Sequence, residues 1–93
     1  MEVKQRDDGK RGEFYIEIDG TLEAQMVYVW AGTDKIIIEH TEVSEKLKGK
    51  RAGNKMLDTA VAFVREKGIK IIPLCPFANA QLKKHAEYHD VIF

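Results

Sequence analysis

The sequence predicts an α/β domain of the α+β kind: a three-stranded antiparallel meander, a crossover helix, and a strand returning parallel to the meander's last strand. Three observations predict it. Apolar residues alternate from Phe14 to Trp30, a helical period begins near Ala52, and a short apolar run, Ile69–Leu74, follows the helix's stop signal. At 93 residues there is room for one modest core, so residues 1–93 are expected to form a single domain.

The first dozen residues, Met1–Gly12, are polar and punctuated by turn signals, and are expected to be flexible. Phe14, Ile16 and Ile18 then alternate with Glu13, Tyr15 and Glu17, the period of a half-buried strand. Asp19-Gly20 is a two-residue hairpin signal, and the next strand sets Leu22, Ala24, Met26, Tyr28 and Trp30 on one face. Gly32-Thr33-Asp34 turns the chain into a third strand, Lys35–Val43. Ser44–Arg51 is basic and without period. From Ala52, residues Met56, Leu57, Ala60, Phe63 and Val64 recur at helical spacing, with Lys67 in the last turn and Gly68 as the stop. A strand–helix–strand unit of this length implies a right-handed crossover that lays Ile69–Leu74 parallel to Lys35–Val43. Asn79–His85 reads as a short second helix and Glu87–Phe93 as an irregular tail.

Composition removes several function classes. Fifteen basic residues balance fifteen acidic ones, so a general nucleic-acid binder is not indicated. No apolar run approaches the ~18 residues of a membrane span, and Met1–Gly12 lacks the apolar stretch of a signal peptide. Cys75 is the one cysteine, so no internal disulfide forms, and no Cys/His cluster has metal-ligand spacing. A cytoplasmic protein without a metal is the expectation.

The informative stretch is Lys48-Gly49-Lys50-Arg51-Ala52-Gly53 between a strand and a long helix. A helix N-terminus presents unpaired N–H groups and the positive end of its dipole, and small residues let phosphate oxygens approach them. Gly49, Ala52 and Gly53 are small; Lys48, Lys50 and Arg51 add charge. The physics indicates a phosphate or pyrophosphate site. It is neither a P-loop, since no Gly-Lys-Ser/Thr ending is present, nor the three-glycine dinucleotide fingerprint.

The stretch resembles the acetyl-CoA loop of the GNAT superfamily of N-acetyltransferases, Gln/Arg-x-x-Gly-x-Gly/Ala. Lys48 falls at the first position and Gly53 at the last, while Arg51 replaces the middle glycine, a departure from the pattern. His40-Thr41-Glu42-Val43, Pro73-Leu74-Cys75-Pro76-Phe77 and His85-Ala86-Glu87-Tyr88 resemble segments of the small single-domain GNAT-like proteins, so the likeness runs over roughly Phe14–Tyr88. It implies a truncated GNAT-like fold that uses acetyl-CoA to acetylate an amine. By this resemblance Lys48, Gly49, Lys50, Arg51, Ala52, Gly53 and Asn54 hold CoA, and backbone groups near Thr41 and Val43 pair with pantetheine in a gap between splayed strands. Pro73 supports the gap independently, because it lacks the N–H that a sheet ladder needs. So little chain precedes the first strand that the acceptor side should be open, suiting a protein amine, in a monomer or weak dimer. A CoA-binding module without catalysis is the alternative.

Single residues carry two readings each. Cys75 is either a small core residue or a thiol beside the acetyl group. His40 alternates with Ile36 and Ile38, which favours a packed core histidine over a general base. Glu39 and Glu42 fall on opposite faces, and either can accept a proton through water. His85, Tyr88 and His89 lie near the tail and could reach the gap, though nothing in their spacing demands it.

Overall fold

The computed structural model describes Met1–Phe93 as a five-stranded sheet with helices on one face. The strands are β1 (Lys4–Asp7), β2 (Arg11–Ile18), β3 (Thr21–Trp30), β4 (Lys35–Val43) and β5 (Lys70–Pro73), ordered 1-2-3-4-5 across the sheet. The first four run antiparallel, and β5 lies parallel to β4 after the crossover through α1 (Ala52–Lys67). A second helix, α2 (Pro76–Lys84), and a 3-10 turn (Ala86–Val91) complete the chain.

In place of a flexible lead-in, Met1–Gly12 carries β1, which pairs with β2 from Lys4↔Tyr15 to Asp7↔Gly12. Its four side chains are all exposed, so no hydrophobic period announces it. The turn that closes this hairpin is built from side chains. Asp7 accepts from the Gly9 amide at 2.7 Å, and Asp8 from the amides of Lys10 and Arg11 at 2.8 and 2.9 Å. The following hairpin turns at Asp19 and Gly20, both with positive φ (52° and 80°), as a tight two-residue loop requires.

Buried residues of α1 recur as Ala52, Gly53, Met56, Leu57, Ala60, Val61 and Val64, a stripe laid on the sheet's inner face. There they meet Phe14, Ile16, Met26, Tyr28, Ile36 and Ile38, each fully buried. Each such large side chain contributes roughly 1.5–3 kcal/mol through burial, so Leu57→Ala, at the centre, is expected to cost about 2–5 kcal/mol. The helix stops at Gly68 (φ 68°), where the Ile69 amide reaches back to the Val64 carbonyl at 3.0 Å. Ala78 and Leu82 of α2 belong to the same core cluster, so both helices cover one face and the other is left to solvent. α2 begins at Pro76, earlier than the expected Asn79, because proline at the first helical position loses no hydrogen bond. The tail is likewise ordered: Ile92 bridges Ile71, and the Phe93 amide donates to the Ile71 carbonyl at 2.9 Å. No helix is long and apolar enough to cross a membrane.

Candidate acetyl-CoA site

β5 pairs with β4 only from Lys35↔Lys70 to Ile38↔Pro73. Pro73 offers no N–H, and the amides of Leu74 and Cys75 both converge on the Ile38 carbonyl, at 3.1 and 2.9 Å, which ends the ladder. Beyond it the chain turns away into α2, and Glu39–Val43 have no paired strand on that side. On the other side β3 stays paired with β4 as far as Ala24↔Val43.

A bulge decides what the open edge displays. Val27 pairs with His40 and Tyr28 with Ile38, so Glu39 has no partner and the alternation shifts by one. The Ser44 amide donates to the Glu23 carbonyl at 2.8 Å, toward β3. Counting back by twos, Glu42 and His40 also face β3, whereas the N–H and C=O of Thr41 and Val43 point into the gap. The two residues expected to pair with an extended ligand therefore carry the free backbone groups.

The same bulge corrects the reading of His40. Alternation with Ile36 and Ile38 would bury it. With Glu39 inserted, His40 instead stands exposed on the uncovered face, its Nε2 2.7 Å from Glu42 Oε1. Thr41 takes the inward place, its Oγ1 3.3 Å from Cys75 Sγ. Cys75 is 3% exposed and caps α2, so the thiol lies at the inner wall of the gap and the His40–Glu42 pair on the outer side of the same strand.

Leu47, buried in a short 3-10 turn (Glu45–Leu47), anchors the loop that follows β4. Gly49 (φ 78°) and Arg51 (φ 61°) adopt the left-handed conformation that turns the chain into α1. Arg51 there is a non-glycine residue in a costly region, at the position where the family pattern has glycine. The first helical bond is from the Lys55 amide to the Arg51 carbonyl at 3.0 Å. The amides of Ala52, Gly53 and Asn54 have no acceptor, and no side chain caps the helix. Lys48 is paired with Glu45 at 2.7 Å, while Lys50 and Arg51 are exposed with no carboxylate partner. Three unspent amides and two cations without carboxylate partners thus stand together at the positive end of a helix dipole, where the local field favours negative charge.

Two contacts were not legible in the sequence. A Cβ on Gly53 would lie 2.8 Å from the Phe77 ring, so this glycine admits the aromatic of α2 against the first turn of α1. Asn54 donates its Nδ2 to Gln81 Oε1 at 3.1 Å, a second tie between the helices. Phe77 thus connects the first turn of α1 to the segment holding Cys75, two residues earlier. The tail residues are occupied. Tyr88 donates its hydroxyl to Asp58, and that hydrogen bond first, then burial, pushes its pKa up to about 12. His85 meets the Tyr88 ring edge to face at 5.8 Å, and His89 meets the Lys83 carbonyl at 2.9 Å.

Residues 13–91 match the family model of GCN5-related N-acetyltransferases. Among curated proteins, Protein NATD1 of Danio rerio is 29% identical over 88 residues, covering 91% of this chain and 80% of the relative. Protein NATD1 of Xenopus tropicalis is 24% identical over 84 residues, covering 89% and 77%. Among solved structures, a GCN5-like protein of Staphylococcus aureus is 35% identical with a TM-score of 0.78, covering 99% of this chain and 87% of that one. An aminoglycoside N-acetyltransferase in complex with CoA shares the fold at a TM-score of 0.63 and 11% identity, covering 94% and 89%.

Proposed function

The chain belongs to the GCN5-related N-acetyltransferase family, and we propose that it transfers the acetyl group of acetyl-CoA to an exposed amine, such as a protein lysine. The observation that carries this reading is the open β4 edge next to the uncapped first turn of α1. In this reading the amides of Ala52, Gly53 and Asn54, with Lys50 and Arg51, bind the pyrophosphate. The backbone of Thr41 and Val43 pairs with pantetheine as an added strand would, which brings the thioester beside Cys75.

Transfer needs the amine to lose a proton, the carbonyl oxygen to gain a donor as charge develops, and the thiolate to leave. The uncovered face gives the acceptor a route to the gap from the side where His40 stands. His40, oriented by Glu42, accepts the proton, and a β4 amide serves the carbonyl oxygen. Cys75 lines the acetyl side, and the direct attack of the amine needs no bond to it. Positioning supplies most of the catalysis, in keeping with so small a domain.

The test is a titration of CoA and acetyl-CoA followed by amide NMR. Gly49–Asn54, Thr41 and Val43 are expected to shift far more than Phe14–Ile18. The double change Lys50→Glu, Arg51→Glu is expected to weaken CoA more than tenfold, about 1.4 kcal/mol or more. Undiminished affinity in that folded variant would remove the loop from the site.

A further inference from the structure

An open cleft lies away from the proposed CoA site. It has a volume of about 890 Å³ at the opposite end of the sheet, between the turns Gly9 and Gly32-Thr33 and the last turn of α1. Its apolar walls are Trp30, Phe63 and Ile69, with the two rings edge to face at 6.1 Å. α1 rises ~1.5 Å per residue, so Lys67 in this cleft lies some 20 Å along the helix from the loop at the other end.

Two charges in the cleft are unmatched. Asp7 takes three neutral donors: the Tyr28 hydroxyl at 2.6 Å, the Gly9 amide at 2.7 Å and the Trp30 indole at 2.9 Å. Burial works to raise its pKa, but those hydrogen bonds outweigh it, hold the carboxyl below its ordinary range and keep it ionised at neutral pH. No cation lies within ion-pair distance: Arg6 beside it turns to Glu13 at 3.0 Å and onto the Tyr15 ring. Lys67 also lacks a carboxylate, its ammonium resting 5.5 Å from the Phe63 ring centre. The anion and the cation therefore stand at the two ends of the Trp30–Phe63 pair. The amides of Gly32 and Thr33 and the Thr33 hydroxyl, on the rim, have no partner within the chain.

A simple anion here would face Asp7, and a simple cation would face Lys67. A ligand carrying both charges on an apolar body meets neither repulsion, and each of its ends faces an opposite charge. We infer that this cleft is a binding site for a small apolar zwitterion, the chemistry of a free amino acid or a dipeptide, with its ammonium at Asp7, its carboxylate at Lys67 and the rim amides, and its side chain on Trp30 and Ile69. The site is independent of the acetyl-CoA reading.

Amide and indole NMR of the full chain tests it, with leucine and leucyl-leucine as probes at millimolar concentration. Either probe is expected to shift Gly9, Gly32, Thr33 and the Trp30 indole while leaving Gly49–Asn54 in place. The probe that binds more tightly fixes the size of the ligand. N-acetyl-leucine and leucinamide, each lacking one charge, should bind about tenfold more weakly or worse. Lys67→Gln, a surface change that leaves the fold intact, should weaken leucine and leucyl-leucine while leaving leucinamide unaffected. No shift with either zwitterion would overturn the proposal. So would equal binding of the singly charged analogues, or zwitterion binding that survives Lys67→Gln.

Discussion

At the end of the sheet where β4 runs into α1, polar groups are left open: the amides of Ala52, Gly53 and Asn54 and the inner edge at Thr41 and Val43 have no partners. At the opposite end the donors of Tyr28, Trp30 and Gly9 all converge on Asp7. Unsatisfied backbone costs little where water reaches it, as along the half-buried Thr41–Val43 edge, and it becomes an asset once a ligand replaces that water. A converged network instead fixes the position of side chains. The same small fold therefore leaves backbone groups open at one end and fixes side chains around a carboxylate at the other.

The largest effect expected from breaking this contrast is at Gly53. A valine there drives into the Phe77 ring, and overpacking of this kind costs about 1–3 kcal/mol while displacing the start of α2. With Phe77 seated on Gly53, stability and CoA affinity should both fall. Adding Phe77→Ala makes room for the new side chain. Thermal melts should show recovery relative to Gly53→Val, and calorimetry with CoA shows whether affinity returns. Absence of any recovery would mean that the clash is not with Phe77.

Next in size is Asp7→Ala, which leaves the buried Tyr28 hydroxyl with only Gln5 as a partner, at 2.9 Å. Loss of the charged acceptor is expected to cost about 1–3 kcal/mol, read by denaturant melts, with CoA affinity unchanged. The sign with pH follows from the depressed folded pKa. The stabilisation is fully present above the unfolded carboxylate range near ~3.9 and is lost as pH falls through the lower folded value. The wild type should therefore lose stability more steeply than Asp7→Ala below about pH 4. Parallel acid profiles would show that Asp7 contributes nothing by its charge.

A smaller effect, and a sharper question, attaches to Cys75. Cys75→Ala is expected to leave CoA affinity nearly intact, since the thiol contributes little to ground-state binding. If Cys75 only lines the acetyl group, the alanine variant retains most of its transfer rate and no acetylated protein accumulates. One added acetyl mass after mixing with acetyl-CoA, labile to hydroxylamine and lost with Cys75→Ala, would instead show that the thiol carries the group. Cys75→Ser buries a hydroxyl in place of a thiol, beside Thr41 Oγ1 and at the N-cap of α2, whose first-turn amides no side chain now caps. Melts of the two variants separate lost stability from lost chemistry.

How much of each end was legible in the sequence differs for physical reasons. The helix Ala52–Lys67 with its Gly68 stop, the hairpin at Asp19-Gly20 and the strand Lys35–Val43 rest on local period and turn chemistry, and all stand where the pattern put them. The turn from β4 into α1 was legible for the same reason: small and basic residues between a strand and a helix. β1 was not, because an edge strand with four exposed side chains has no apolar period to show. His40 was misplaced because a single unpaired residue, Glu39, reverses every facing after it, and nothing in the local sequence marks that bulge. The Gly53–Phe77 contact joins residues far apart in the chain, and periodicity carries no such information.

The smallest effect sharpens the description of the loop itself. By family pattern Lys48 takes the leading position, yet its ammonium is already 2.7 Å from Glu45, with both side chains largely exposed. An exposed pair contributes about 0–1 kcal/mol, so Lys48→Ala should change stability by no more than about 0.5 kcal/mol. Lys50 and Arg51 have no such partner, and their charge is free to meet a phosphate. CoA affinity should consequently drop by less than about threefold in Lys48→Ala, against more than tenfold for the reversal at Lys50 and Arg51. Glu45→Gln gives the complementary result: releasing Lys48 should tighten CoA binding slightly, an increment that salt screens away. Calorimetric titrations of the three variants at low and moderate ionic strength measure the order directly. A Lys48→Ala loss as large as that of the double reversal would place the phosphates against the first residue of the loop and away from the first turn of α1.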